Sequence, residues 1–269
     1  MTSITRRGVF SSVVPLKSLT FGRKQTGGRN NAGRRTVVGR GGGNKTLYRM
    51  VDFKYNKKDI PAKIVSIEYD PNRTAFIGVL SYKDGEKRYT ILPQGMKLGD
   101  QVIVSEKADI KPGNRLALKN IPIGTFVYAV EIKSGAGARI GRSAGNYVEV
   151  LAQDDNYTHL KMPSSEVRKV HSECFASIGT VSNEENRLVN WGKAGRSRWV
   201  GKKPKVRGSA MNPVDHPYGG GEGRQGRGRR RAITSTGRPV GKGQKSRTPK
   251  KYSNKFIVSR RAVRKNRKK

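Results

Sequence analysis

Asp215 and His216 stand side by side just ahead of Gly219, Gly220 and Gly221, in the stretch NPVDHPYGGGEGRQGRGRRR (212–231). An imidazole beside a carboxylate could act as a general base if the carboxylate oriented the ring and a substrate lay within hydrogen-bond reach. Side chains adjacent in sequence rarely face each other, so the pair alone does not define a dyad. Glu222 is the only other acid nearby. GEGRQG (221–226) formally matches G-x-G-x-x-G but follows no predicted strand and opens no predicted helix, so the dinucleotide reading fails on context. HSEC (171–174) is at most half a metal site, because Cys174 is the only cysteine and no paired histidines complete four ligands. An RNA-cleaving or RNA-modifying enzyme built on His216 with Asp215 or Glu222 therefore lacks a third group. The sequence predicts no enzyme, no catalytic residue and no metal ligand.

The same stretch is better suited to holding a polyanion. Asn212-Pro213 and His216-Pro217 restrict the loop before it binds anything. His216 and Tyr218 offer rings for stacking on an unpaired base, and Gly219, Gly220 and Gly221 let backbone approach phosphates. Arg224, Arg229, Arg230 and Arg231 follow, and Arg207 precedes. Upstream, NWGKAGRSRW (190–199) interleaves Trp191 and Trp199 with Lys193, Arg196 and Arg198. These tryptophans either stack on RNA or pack the tail onto a barrel; indoles do both. GGRNNAGRRTVVGRGGGNK (27–45) repeats the glycine–arginine pattern with Arg29, Arg34, Arg35 and Arg40. Arginine recognises phosphate through paired donors.

The charge is unevenly distributed. The chain has 57 Lys and Arg against 19 Asp and Glu, a net +38. Residues 1–45 carry +10 with no acid, residues 46–186 only +3, and residues 187–269 carry +25. A near-neutral middle is flanked by two strongly basic arms. Such a chain repels itself unless a polyanion neutralises it, and nucleic acid is the usual one. The arms lack long periodic apolar runs and are expected to order against a partner. A nonspecific nucleic-acid condenser would explain the arms but not the patterned middle. No apolar run approaches the ~20 residues of a membrane span, so no membrane is expected as partner. The serine-rich, basic start, MTSITRRGVFSSVVPLKSLT, is read as a basic arm in preference to a transit peptide, because its composition continues past residue 20.

The elements that must position these residues are strands. LYRMVDF (47–53), AKIVSIEY (62–69), TAFIGVLSY (74–82), KRYTILP (87–93) and DQVIVSE (100–106) are short, apolar and β-branched, with a tight hairpin at KDGE (83–86). A second set runs through RLALKN (115–120), TFVYAVEIK (125–133), YVEVLAQ (147–153), YTHLKM (157–162), EVRKVH (166–171) and CFASIGTV (174–181). The sequence predicts an all-β chain: a small barrel over 46–110, whose five strands suggest the oligonucleotide-binding type though the count also fits other small barrels, then a second barrel over 111–186. A basic N-terminal arm (1–45) and a C-terminal extension (187–269) flank them. Almost no helix is expected beyond a turn near NEENRLVN (183–190).

GGRNNAGR (27–34), YRMVDF (48–53), EYDPNR (68–73), YKDGEKRY (82–89), KPGN (111–114), GRSAG (141–145), GKAGRSRW (192–199) and VRGSAMNPVDHPYGGGEGR (206–224) occur in order. Together they closely resemble the family of large-subunit ribosomal protein two of bacteria and organelles. The resemblance implies that the second barrel is SH3-like. It implies a structural role in a cytoplasmic ribosome, or alternatively an organellar one. Its expected partners are large-subunit ribosomal RNA, other ribosomal proteins, the small subunit at the subunit interface and nearby tRNA, with no homo-oligomer. No cofactor is implied beyond structural Mg ions of the RNA. Roles in subunit assembly and association, tRNA binding and peptide-bond formation follow from the same resemblance. It places RNA contacts on Lys87, Arg88 and Arg142, and puts His216 near the peptidyl-transferase region in a supporting role. Tyr218 stands where the family usually has a second histidine.

Overall fold

The computed structural model describes residues 9–11, 13–223, 228, 231–241 and 247–261. They form two compact units: the described residues within 1–23, 45–190 and 253–269 in one, those within 24–44 and 191–252 in the other. Among the described residues no helix is long and apolar enough to cross a membrane.

In the first unit, β1 (Thr20–Gly22) pairs antiparallel with β2 (Leu47–Arg49). The first barrel's sheet comprises β3 (Ala62–Glu68), β4 (Ile77–Tyr82), β5 (Lys87–Ile91) and β6 (Gln101–Val102), in the order β5-β4-β3-β6. Ala62, Ile64, Ser66 and Glu68 of β3 are buried, which is the period-two burial its sequence pattern predicts. The register against β4 shifts between Ile64 and Ser66, and Val65, at that bulge, is left 51% exposed.

The second barrel is built from β7 (Arg115–Ala117), β8 (Phe126–Tyr128), β9 (Val130–Glu131), β10 (Ala138–Ile140), β11 (Val148–Gln153), β12 (Tyr157–Lys161), β13 (Val167–His171) and β14 (Phe175–Ile178). All but β9 and β10, which pair with each other, lie in one seven-stranded sheet. The run 125–133, which reads as one strand, breaks at Ala129, whose φ is +48°. Alanine rarely adopts this conformation; here burial and a hydrogen bond from its N–H to Gly141 O at 3.0 Å hold it.

The only α-helix among the described residues, α1 (Ala194–Trp199), was not anticipated by the sequence reading; the expected turn near 183–190 is a 3-10 segment, Glu184–Leu188. A short hairpin follows in β15 (Ala232–Ile233) and β16 (Pro239–Val240). The chain then returns to the barrel sheet: β17 (Ile257–Ser259) lies against β13 at its edge. The chain is nearly all β with curled sheets, as predicted.

The two barrels share an interior. Tyr55, Ala75, Ile91 and Val104 pack in one cluster with Ala117, Tyr128, Ala129, Ala138, Phe175 and Val181. At its centre lies Arg115, 1% exposed, bonded to Glu131 at 2.9 Å, Ala129 O at 2.7 Å and Phe175 O at 3.2 Å. The Tyr55 ring lies 4.3 Å from its guanidinium, and the Tyr55 hydroxyl is 3.1 Å from Thr90 Oγ1. A charge this deep is tolerable because it is paired and most of its donors are satisfied. Burial raises the Tyr55 hydroxyl above its ordinary range, so this interior stays otherwise neutral.

Candidate nucleic-acid interface

The glycine–arginine segment at 27–44 is not a free arm. Gly41 N donates to Gly201 O at 3.1 Å, Asn44 N to Trp199 O at 3.0 Å and Lys203 N to Gly39 O at 2.9 Å. Arg40 and Lys202 form an antiparallel bridge, as do Arg29 and Arg35. Glycine is required at 43: φ is +121°, and a Cβ there would meet Gly201 N at 2.8 Å and Trp199 O at 2.9 Å. The close approach that glycine permits here is between two stretches of the protein's own backbone.

This pairing brings two predicted groups into one unit. Arg29, Arg34, Arg35 and Arg40 share it with Arg196 and Arg198 of α1, and with Arg207 and Arg231; all eight are exposed. Trp191 and Trp199 are 40% and 52% exposed. Lys193 stands 5.1 Å over the Trp199 ring, and Arg196 and Lys202 stand 6.0 and 5.2 Å over Trp191. Lys202, Lys203 and Lys205 are exposed too and were missed in the sequence; the basic run GKKPKVR directly after Trp199 was the signal for them. Arg224, Arg229 and Arg230 lie outside the described residues.

The 206–221 loop is packed on itself. The His216 ring lies against Gly208, where a Cβ would come within 2.5 Å of Cε1 and Nδ1. His216 Nδ1 accepts from Tyr218 N at 3.1 Å, and the two rings are 4.9 Å apart. No bond joins the ring to Asp215 among the described residues, and Asp215 is exposed. Tyr218 is only 8% exposed, and its hydroxyl accepts from Ile233 N at 2.7 Å. Gly219 sits where any Cβ would collide with Asn212 O, and Gly220 packs on Pro213. The loop presents Asn212, Pro213, Val214 and Asp215 outward, Val214 at 91% exposure. Among the described residues no group of three or more His, Cys, Asp or Glu could hold a metal ion.

The remaining candidates sit on the barrels. Lys87 is exposed in β5. Arg88 is partly buried and bonded to Glu86 at 2.6 Å, Asp52 at 2.7 Å and Asn56; the bonds to the Glu86 and Asp52 carboxylates hold its pKa above the ordinary range. Arg142 is exposed, its guanidinium 4.6 Å over Phe53.

Fused β barrels with a unit of exposed arginine, lysine and tryptophan define a polyanion-binding β protein. Residues 16–104 match the family described as Ribosomal Proteins L2, RNA binding N-terminal domain, and residues 111–237 match Ribosomal Proteins L2, C-terminal domain. The chain belongs to the ribosomal protein L2 family. It is a structural, RNA-binding protein of the large ribosomal subunit, found in the ribosome among ribosomal RNA and other ribosomal proteins.

Proposed function

We propose that the chain organises large-subunit ribosomal RNA during assembly, supports association of the two subunits, and steadies the tRNA-binding and peptidyl-transferase region through its 206–221 loop. The ribosome is read as a cytoplasmic one, with an organellar ribosome as the alternative. The observation that carries this reading is the 24–44 and 191–252 unit, whose exposed cations surround two exposed indoles while its own apolar burial is minimal. Such a surface neutralises phosphates and stacks bases. The RNA contacts are assigned to Arg29, Arg34, Arg35, Arg40, Arg196, Arg198, Arg207 and Arg231 here, and to Lys87, Arg88 and Arg142 on the barrels. Any magnesium at the interface is carried by RNA phosphates, and no cofactor of the protein's own is invoked. RNA is the catalyst in this scheme, and His216 acts by holding the loop's shape.

Competition binding tests the first part: the chain should prefer protein-free large-subunit ribosomal RNA over an unrelated structured RNA of equal length, near physiological salt. Equal affinity for both would reduce the binding to charge alone. Large subunits reconstituted with His216→Ala test the second part. They should sediment normally yet form peptide bonds more slowly; an unchanged rate would remove the loop from that role.

A further inference from the structure

Polar groups gather at the junction of the two barrels, in an interior that is otherwise apolar. Four hydroxyls converge there, two from each barrel: Tyr55 and Thr90 from the first, Tyr128 and Ser177 from the second, each 8% exposed or less. Together with Arg115 they line one cavity of about 20 Å³, whose remaining wall is mostly apolar. The Tyr55 and Thr90 hydroxyls are 3.1 Å apart. Ser177 Oγ accepts from Arg115 Nη1 at 3.3 Å and bonds the Tyr128 hydroxyl. The Tyr128 hydroxyl also points to Ile91 O, but at 3.4 Å, which is long for a bond between oxygens.

Arg115 supplies the unanswered donor. Its Nη1 and Nη2 donate to Ala129 O, Ser177, Glu131 and Phe175 O, whereas Nε meets no acceptor among the described residues. An N–H of a 1% exposed guanidinium without an acceptor carries its full desolvation cost. Size and charge decide what the adjoining cavity can offer it. A single water needs roughly 10–15 Å³ and two to four polar partners, and both conditions are met. A small anion would also accept from Nε, but Glu131 at 2.9 Å already answers this charge, so an anion would leave the interior net negative. A cation finds no carboxylate in the lining among the described residues. Burial raises the Tyr55 and Tyr128 hydroxyls above their ordinary 10.0, so both stay neutral.

We infer that this cavity is a binding site for one structural water, which accepts from Arg115 Nε and donates to hydroxyl oxygens contributed by both barrels. Apolar surfaces alone tolerate small slides of one barrel on the other. A satisfied polar network does not, because any slide strands the guanidinium and the water together. The water is thus a specificity element of the joint. The site belongs to the folded chain and does not depend on the RNA reading above.

The test is magnetic resonance on the full-length chain with nitrogen-15 arginine, reading cross-relaxation between Arg115 Hε and the water frequency. A cross-peak with the sign of a long-lived partner is expected. Ser177→Ala removes the hydroxyl beside the guanidinium and leaves the cavity open. The cross-peak should persist, because its source is water and not a hydroxyl proton that exchanges with solvent. Ser177→Val fills the cavity and should abolish it, with a urea midpoint below that of Ser177→Ala. Thr90→Val, a nearly isosteric change, should weaken the cross-peak, and Thr90→Ser should restore it; this pair carries the test if Ser177→Val does not fold. A wild-type Hε without the cross-peak overturns the site. So does a cross-peak that Ser177→Ala abolishes, or one that Ser177→Val or Thr90→Val leaves at full strength.

Discussion

The barrels bury a continuous apolar interior, whereas the 24–44 and 191–252 unit contributes only Tyr218 to the buried hydrophobic residues described. The barrel strands are held chiefly by apolar burial and their ladders. The second unit is joined by backbone bonds such as Asn44 N to Trp199 O, each worth about 0.5–1.5 kcal/mol net, and it carries a crowd of like charges. One sequence therefore contains a part held by a buried core and a part whose stability is expected to be completed by a polyanion. Spectroscopic probes divide the same way. Both tryptophans, Trp191 and Trp199, belong to the second unit, and the single cysteine, Cys174, is buried in the barrels. In urea, indole fluorescence should change at lower denaturant than Cys174 alkylation, and added ribosomal RNA should move the indole transition upward. Coincident transitions would break the comparison.

The largest single effect is expected in the barrels. Arg115→Ala leaves Glu131 buried without its cation and should cost about 3–5 kcal/mol, read as a lower midpoint for Cys174 exposure. Removing both charges with Arg115→Met, Glu131→Leu should cost less than Arg115→Ala alone. Cys174 suits this measurement. Burial, aided by Glu131 and Glu173, pushes its thiol up to about 12 from an ordinary 9.0. The raised value favours the folded state fully below pH 9.0, and this contribution declines as pH rises from there through about 12. At pH 8.5 alkylation should follow unfolding and not the native state. The next effect belongs to the other unit. Gly43→Ala forces a Cβ against Gly201 and Trp199 at a φ of +121°, and should cost about 1–3 kcal/mol in the indole transition while leaving Cys174 unmoved.

The same contrast explains what could be read from the sequence. Barrel strands were legible because burial on one face leaves a period-two trace, as in AKIVSIE. The break at Ala129 left none, since alanine holds a left-handed conformation only through its tertiary surroundings. β10 and β17 are three residues each and exist because a neighbouring edge receives them. Basic residues and tryptophans of the candidate interface were legible as composition. Their pairing was not: whether 27–44 meets RNA or residues 199–203 depends on backbone bonds that any side chain small enough permits. Tyr218 likewise reads as an available ring, yet Ile233, fifteen residues away, holds it inside the loop.

The smallest effect separates two neighbours on β5 that the sequence treats alike. Lys87 is exposed and has no ion-pair partner among the described residues. Arg88 is bonded to Glu86, Asp52 and Asn56, and Lys57 in turn bonds Asp84 and Glu86. Those bonds hold the Asp84 and Glu86 carboxyls below their ordinary values of 3.8 and 4.5. A depressed carboxylate favours the folded hairpin above its ordinary value and loses that contribution as pH falls below it, so the network is intact at neutral pH. The charge of Arg88 is partly answered within the protein, so its contact with RNA is expected to contribute less than that of Lys87. Lys87→Gln should lower the salt slope of ribosomal-RNA binding by about one, and Arg88→Gln by distinctly less. Asp52→Asn frees Arg88 from one carboxylate and should raise affinity slightly at low salt. Equal slopes for Lys87→Gln and Arg88→Gln would mean that RNA displaces the network, and that the barrel surface reorganises on binding as the basic unit is expected to.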